Sequence, residues 1–382
     1  MLRLTLVLTG LFTLSAFALA DLPADIALLR TAPGESREDV QLRAAWQRLV
    51  AAGPTQLLPI LRGLPGATPR GANWLVTAAQ AIAAREFAAG RTALRAELEA
   101  YLADRQQDGR GRRLVYEWLV ELDPTLREKL LPTFLDDPSL ELRRDAVQFR
   151  WEQIDKEVAE AERTAAYLAL MPYVREKEQA DKLLKLITAA GGTYDLAAHF
   201  GYVTQWRVIG PFDHTGVKAF NVAYPPETQV ELTASYPDKD GNQAAWKPVA
   251  AKGTYATVDL NAPLGKVKGA IGYAVAEVES AREQPVEIRV GSVNAIKIFL
   301  NGELLLAHEE YHHGAHMDQY VGRGRLKAGK NLVLLKVCQN EQTESYATIW
   351  GFQCRLCDAT GGAVPFTVAP VGAPETPPAN ER

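Results

Sequence analysis

The chain has 382 residues, 47% of them hydrophobic and 23% charged, with a net charge of −4 and a pI near 6.0. That length exceeds the usual single-domain range, so two domains plus tails are expected, each with enough apolar material for a core. The acidic balance excludes a general nucleic-acid binder, which needs a basic field to attract phosphates. No basic amphipathic stretch points to a membrane surface.

Residues 1–20 read as a secretory leader. Met1-Leu2-Arg3 opens with a positive charge, Leu4 to Phe17 is almost wholly apolar, and Ala18-Leu19-Ala20 supplies small residues before a cut ahead of Asp21. The run is short for a spanning helix, no later segment is apolar enough to span, and no Cys follows the cut to carry a lipid. The expectation is an exported protein, periplasmic or secreted, with no membrane insertion.

From 21 to 203 the pattern is helical. Val147, Trp151, Ile154 and Val158 mark one stripe, as do Trp74, Ala78 and Ile82, and Val115, Trp118, Leu119 and Leu122. Gly53-Pro54, Leu64-Pro65-Gly66, Gly109 to Gly111 and Asp137-Pro138 read as breakers between helices. Leu98 to Asp104 and Leu131 to Asp137 look alike at an offset of 33 residues, the span of a paired-helix solenoid unit. The stretch from Leu130 to Ala146 resembles a HEAT-type repeat. That resemblance implies a turn Asp and a second-helix Arg that tie neighbouring repeats, here Asp136 and Arg143. An irregular helical bundle is the alternative architecture.

At about Thr204 the apolar period changes to every second residue. Trp206-Arg207-Val208-Ile209, Val286 to Val290, Ala295 to Leu300, Glu303 to His308, Leu332 to Cys338 and Ile349 to Cys357 read as strands joined by Gly- and Pro-bearing turns. An antiparallel β-sandwich or jelly roll over 204–362 is expected. Asn301-Gly302 predicts a two-residue hairpin turn that pairs Leu300 with Glu303, Phe299 with Leu304 and Ile298 with Leu305. Both faces of this hairpin are apolar, so the helical half or a long loop must cover the outer one. Residues 363–382 are Pro-rich and read as a disordered tail.

Cys338, Cys354 and Cys357 are odd in number, so not all can pair within the chain. Cys354 and Cys357 lie three apart in a strand, about 10 Å from one another and on opposite faces, beyond a disulfide. One core thiol and one surface thiol are expected.

Four of the six histidines, His308, His312, His313 and His316, fall within nine residues beside Glu309, Glu310 and Asp318. Such donors suit a divalent metal, zinc for the imidazoles or a structural calcium for the carboxylates. In an extended strand His308 and His312 stand about 13 Å apart, so only a folded-back loop brings them together. No GxSxG, HExxH, P-loop or dinucleotide fingerprint occurs, and no catalytic residue is assigned. Trp246, Tyr255, Tyr311, Tyr320, Tyr346 and Trp350 fall in or near loops, where aromatic faces stack on sugar rings.

Trp206 to Phe212, Val290-Gly291-Ser292, Lys297 to Glu303, Leu326 to Asn331 and Leu335-Lys336-Val337 resemble galactose-binding-domain-like β-sandwich modules of exported proteins in Planctomycetes-type bacteria. Such modules often bind carbohydrate at loops on one end, and some hold a structural calcium. They commonly carry an acidic pair where this chain has Val293-Asn294. The expectation is a non-catalytic glycan-binding protein with helical repeats as scaffold and Glu310, Tyr311, Tyr320 and Trp350 at the ligand. Two alternatives stay open: a scaffold that holds a protein partner on the helical repeats, and a metal-binding protein built on the four histidines.

Overall fold

In the computed structural model, residues 21–34, 40–90 and 94–370 are described. The expected leader and the last part of the expected tail lie outside them. The protein is built of helices and antiparallel sheets, and divides into two compact units, Met1–Ala146 and Val147–Arg382. Among the described residues no helix is long and apolar enough to cross a membrane.

The first unit holds α1 (Leu22–Arg30), α2 (Val40–Ala51), α3 (Leu57–Arg62), α4 (Pro69–Ala88), α5 (Arg95–Ala103), α6 (Gly109–Leu122), α7 (Leu126–Leu130) and the start of α8 (Leu140–Glu157). Local chemistry sets these ends. Thr68 accepts the Gly71 N–H at 3.0 Å and Pro69 occupies the first turn of α4, where its missing N–H costs nothing. The Gly109–Gly111 pair, expected to break a helix, instead opens α6, because Asp108 accepts the Arg110 N–H at 3.0 Å and starts the helix before it.

The tie expected of Asp136 and Arg143 is made by different atoms. Asp137, fully buried, takes both Arg112 guanidinium nitrogens at 2.6 and 2.8 Å and the Ser139 N–H at 2.8 Å. Arg143 Nε donates to the Asp137 carbonyl at 2.8 Å. Asp136 is exposed and bonds Arg105 at 2.7 Å.

The second unit carries the rest of α8, then α9 (Glu160–Leu170), α10 (Lys177–Ala189) and α11 (Leu196–Phe200). The helical stretch 147–200 therefore belongs to the same unit as the sheets, although helix gives way to strand at the expected place. Thirteen strands follow among the described residues: β1 (Gln205–Asp213), β2 (Ser235–Pro237), β3 (Gln243–Ala245), β4 (Lys247–Ala250), β5 (Val258–Asp259), β6 (Ala270–Ser280), β7 (Gln284–Gly291), β8 (Ala295–Leu300), β9 (Glu303–His308), β10 (Tyr320–Leu326), β11 (Gly329–Gln339), β12 (Gly351–Cys357) and β13 (Thr367–Val368). One sheet runs β4-β1-β6-β11-β8-β9 with β13 also on β6; a second runs β10-β7-β12-β5; β2 and β3 form a short ribbon.

Alternating residues of β6, β8 and β11 (Ala274, Ile298 and Leu335 among them) share one apolar core with Ile288 of β7 and Leu356 of β12. The opposite face of the larger sheet, with Ile271, Tyr273, Phe299 and Leu334, is covered by Phe220, Trp246 and their neighbours from the long excursion between β1 and β4. A long loop is thus the cover that the two-faced hairpin required. Lys336 fastens it: fully buried, its ammonium donates to the carbonyls of Ala219, Phe220 and Val222 at 3.1, 2.8 and 2.7 Å and to Glu227 at 2.7 Å. Burial pushes this ammonium below the usual lysine range.

Asn301 and Gly302 have φ of 53° and 85°, the left-handed pair that a tight hairpin turn requires. Leu300 pairs with Glu303 and Phe299 with Leu304 as expected, but a bulge then sets Ile298 opposite Leu306 rather than Leu305. Strand β6, flanked by β1, β11 and β13, escapes the sequence reading because its Ala-, Gly- and Ile-rich run is buried on both faces and shows no alternation. The expected tail begins later than 363: Ala363 bridges Cys357, and β13 pairs with β6.

Candidate binding cleft at the loop end of the sheets

The segment between β9 and β10 carries most of the predicted site. It is held at both ends. Asp318, at φ 62°, receives Arg355 Nε at 2.6 Å, Arg355 Nη2, and Arg289 Nη1 at 2.8 Å. Burial works to raise this carboxyl, and the hydrogen bonds and charges of Arg355 and Arg289 outweigh it and hold it below the usual range.

At the other end His214, fully buried, accepts the Ala219 N–H on Nδ1 at 3.2 Å. Its proton therefore sits on Nε2 and is donated to Tyr311 Oη at 2.8 Å, which in turn donates to Glu309 at 3.1 Å. Burial lowers the His214 imidazole, against the pull of Glu309 and Glu341.

The four predicted histidines do not converge. His308 Nε2 lies 3.1 Å from Glu310, His312 bonds Asn340, and His313 stands between Gln319 at 2.7 Å and Tyr320 at 2.8 Å. The exposed His316 bonds only through its backbone, accepted by Gln319 at 3.4 Å. Among the described residues no group of three or more His, Cys, Asp or Glu side chains is placed to hold a metal ion. The loop is folded and brings His308 and His313 to the same Glu310 carboxylate, at 3.1 and 3.9 Å, while His312 and His316 lie apart from them.

The predicted ligand-contacting aromatics are corrected as well. Trp350 is fully buried and its indole N–H donates to the Val337 carbonyl at 3.2 Å, so it is a core side chain without an exposed stacking face, although it is among the residues lining the cleft described below. Tyr320 is buried too, its hydroxyl on His313 and pushed up to about 12 by burial. Tyr311 is half-buried with its hydroxyl engaged, and burial raises it; Glu310 is exposed and held below the usual range by His308. Of the loop aromatics, Tyr346 is the open one, 58% exposed. Both CxxC thiols are buried, so the expected surface thiol is absent: Cys354 joins the core and Cys357 faces the Glu287 carbonyl at 3.6 Å.

The structure adds a cleft of about 480 Å³ whose lining includes Trp350 and His316 of the predicted site, together with residues the sequence did not single out. Its floor is β5 and the start of β12, its walls are Ala315–Met317 and Thr348–Ile349, and Lys177 of α10 reaches its edge. Two close approaches shape it. A Cβ on Gly351 would lie 2.2 Å from the Val258 carbonyl oxygen, and one on Gly291 would lie 2.5 Å from that of His316, so only glycine lets the floor and the wall seat. Asn294, fully buried, sets the strand ends beneath: Nδ2 donates to Gln339 at 3.0 Å and to the Ile349 carbonyl at 3.3 Å, and Oδ1 accepts the Gly351 N–H at 3.1 Å. The acidic pair implied by resemblance at this turn is thus replaced by a buried amide that bonds strands together.

The polar lining is orderly. Asp259 Oδ1 accepts both the Asn261 N–H at 2.9 Å and Asn261 Nδ2 at 3.1 Å, while Asn261 Nδ2 also donates to the Thr348 carbonyl at 3.2 Å. Gln353 Nε2 donates to Thr257 at 3.1 Å. Lys177 pairs with Asp181 at 2.6 Å and lies 4.2 Å over the Tyr255 ring, whose hydroxyl also bonds Asp181. The sequence did not single out Asp259, Asn261 or Gln353, because an Asx turn and a strand residue carry no local signal that places them together.

No protein-family model matches the chain, and no curated protein matches it. Slight likenesses occur to solved structures: a beta-glucosidase from Kluyveromyces marxianus in complex with glucose, 12% identical over 40% of this chain and 16% of that chain, with a TM-score of 0.26. The selenomethionine-labelled beta-glucosidase of the same organism is 7% identical over 57% of this chain and 33% of that one, with a TM-score of 0.22. An alpha-xylosidase from Xanthomonas citri is 8% identical over 41% and 16%, with a TM-score of 0.19. The chain spans between 16% and 33% of these proteins' lengths, and likenesses this slight carry no argument for fold or function.

Proposed function

We propose that the chain is an exported, non-catalytic binding protein that takes a carbohydrate in the cleft at the loop end of its β region. On this reading the two sheets form a sandwich, and the helices are a repeat scaffold. The observation that carries it is the cleft itself. It is about 480 Å³, the size of a small-molecule site, and combines planar polar groups (Asp259, Asn261, Gln353) with an apolar wall of Ile349 and Met317. Planar amide and carboxylate groups match adjacent sugar hydroxyls, and an apolar wall matches the C–H face of the ring. A glycan array probed with the full chain tests it. Specific binding that is lost in Asn261→Ala and Gln353→Ala is expected; binding to no glycan, or binding indifferent to these changes, overturns it.

A second reading, a scaffold for a protein partner, is favoured by a groove of about 410 Å³ in the first unit, lined by Leu119, Leu126, Leu130 and Phe134 among others. Partner capture lost on Leu130→Asp, with glycan binding intact, supports it; capture unaffected by that change removes it.

A further inference from the structure

The cleft's hydrogen-bonding groups are unevenly committed, and this points to a ligand class. Both N–H bonds of the Asn261 amide are used, one on Asp259 and one on the Thr348 carbonyl, which leaves Asn261 Oδ1 to face a ligand. The hydroxyl hydrogens of Ser292 and Thr348 are donated to the Gly351 and Ser345 carbonyls at 2.8 and 3.0 Å. Asp259 spends Oδ1 on Asn261 and keeps Oδ2; Gln353 spends an N–H on Thr257 and keeps Oε1.

The charges are uneven too. The Lys177 ammonium is neutralised by Asp181 at 2.6 Å, whereas Asp259 has no basic partner among the described residues. The lining therefore presents free acceptor oxygens on Asp259, Asn261 and Gln353 and an Asp259 carboxylate without a salt bridge among the described residues, beside a Lys177 already paired with Asp181, the second Gln353 N–H and the His316 ring.

We infer that the cleft selects a donor-rich, positively charged sugar, an amino sugar with a free ammonium, with Asp259 as the residue that decides it. This rests on the carbohydrate reading above. A uronate would bring a carboxylate against Asp259 and meet acceptors where it needs donors, and an N-acetylated sugar would keep the hydroxyl contacts but lose the charge-assisted bond. The charge-assisted bond is worth roughly tenfold in affinity.

Calorimetric titration of the full chain with oligomers of glucosamine, N-acetylglucosamine and galacturonate, at neutral pH and moderate salt, tests this. Glucosamine oligomers should bind roughly tenfold tighter than N-acetylated ones, and galacturonate weakest. Asp259→Asn should bring the first ratio close to one, the larger loss of affinity falling on the glucosamine oligomer. Tighter binding of galacturonate, or an unaltered ratio in Asp259→Asn, overturns the inference and leaves the carbohydrate reading standing. Binding of none of the three overturns both.

Discussion

Arg112 and Asp137 form a two-bonded ion pair, at 2.6 and 2.8 Å, with neither side chain more than 1% exposed. Arg112 is also bound through Nε to the Leu102 carbonyl at 2.9 Å, and Asp137 receives the Ser139 N–H, so the pair joins the end of α5, the start of α6 and the turn before α8. Its members compensate one another in a buried site, where a lone charge is far costlier than the pair. Asp137→Asn is expected to destabilise the chain by about 3–5 kcal/mol. The change to Met at 112 combined with Leu at 137 should recover most of that loss. Urea unfolding followed by circular dichroism at 222 nm checks both; equal losses in the single and double variants would mean the pair is not the cause.

Asn294→Asp keeps the size of the side chain and removes a donor. The new carboxylate oxygen would face the Ile349 carbonyl, which cannot turn to donate, and the cost is about 2–3 kcal/mol at neutral pH. A protonated Asp donates again, so the difference from the unaltered chain should shrink below about pH 5. Paired melting curves at pH 7 and pH 4.5 measure it. A gap that stays constant would argue against this geometry.

Two histidines, His214 buried and His199 partly buried, make the fold sensitive to acid. His199 lies between Tyr194 Oη at 3.2 Å and the Val174 carbonyl at 3.0 Å, and burial lowers it to about 4, while His214 is lowered in the same direction. Above pH 6.5 these rings are neutral in both folded and unfolded chains and contribute no pH dependence. Between about pH 6.5 and 4 the unfolded chain takes up protons that the fold refuses, so stability falls as pH falls. His199 accounts for about 2–3 kcal/mol of that loss. Replacing His199 with Gln should flatten the slope of stability against pH in this window, and an unchanged slope would assign the acid sensitivity elsewhere.

The three thiols should be inert in the folded chain. All are buried, and burial pushes Cys338 up to about 12 and Cys357 up to about 11, so almost no thiolate exists at neutral pH. Iodoacetamide should label none of them within an hour under native conditions and all three in urea, as read by intact mass. Rapid native labelling of Cys357 would show that the strand end opens.

Sequence alone determined what depends on neighbours along the chain: the change of apolar period near residue 204 and the left-handed turn at Asn301-Gly302. Each follows from backbone preferences or side-chain spacing that act over a few residues. Only tertiary structure decided which groups meet across long intervals. Arg112 chose Asp137 over the adjacent Asp136, Leu305 was set aside as a bulge, Trp350 went into the core, and Asn261 came beside Gln353. The physical reason is that a loop aromatic or a turn carboxylate has no local preference for burial. Its environment is set by what the rest of the chain packs over it, as the excursion between β1 and β4 does for one sheet face and as β12 does for the cleft floor.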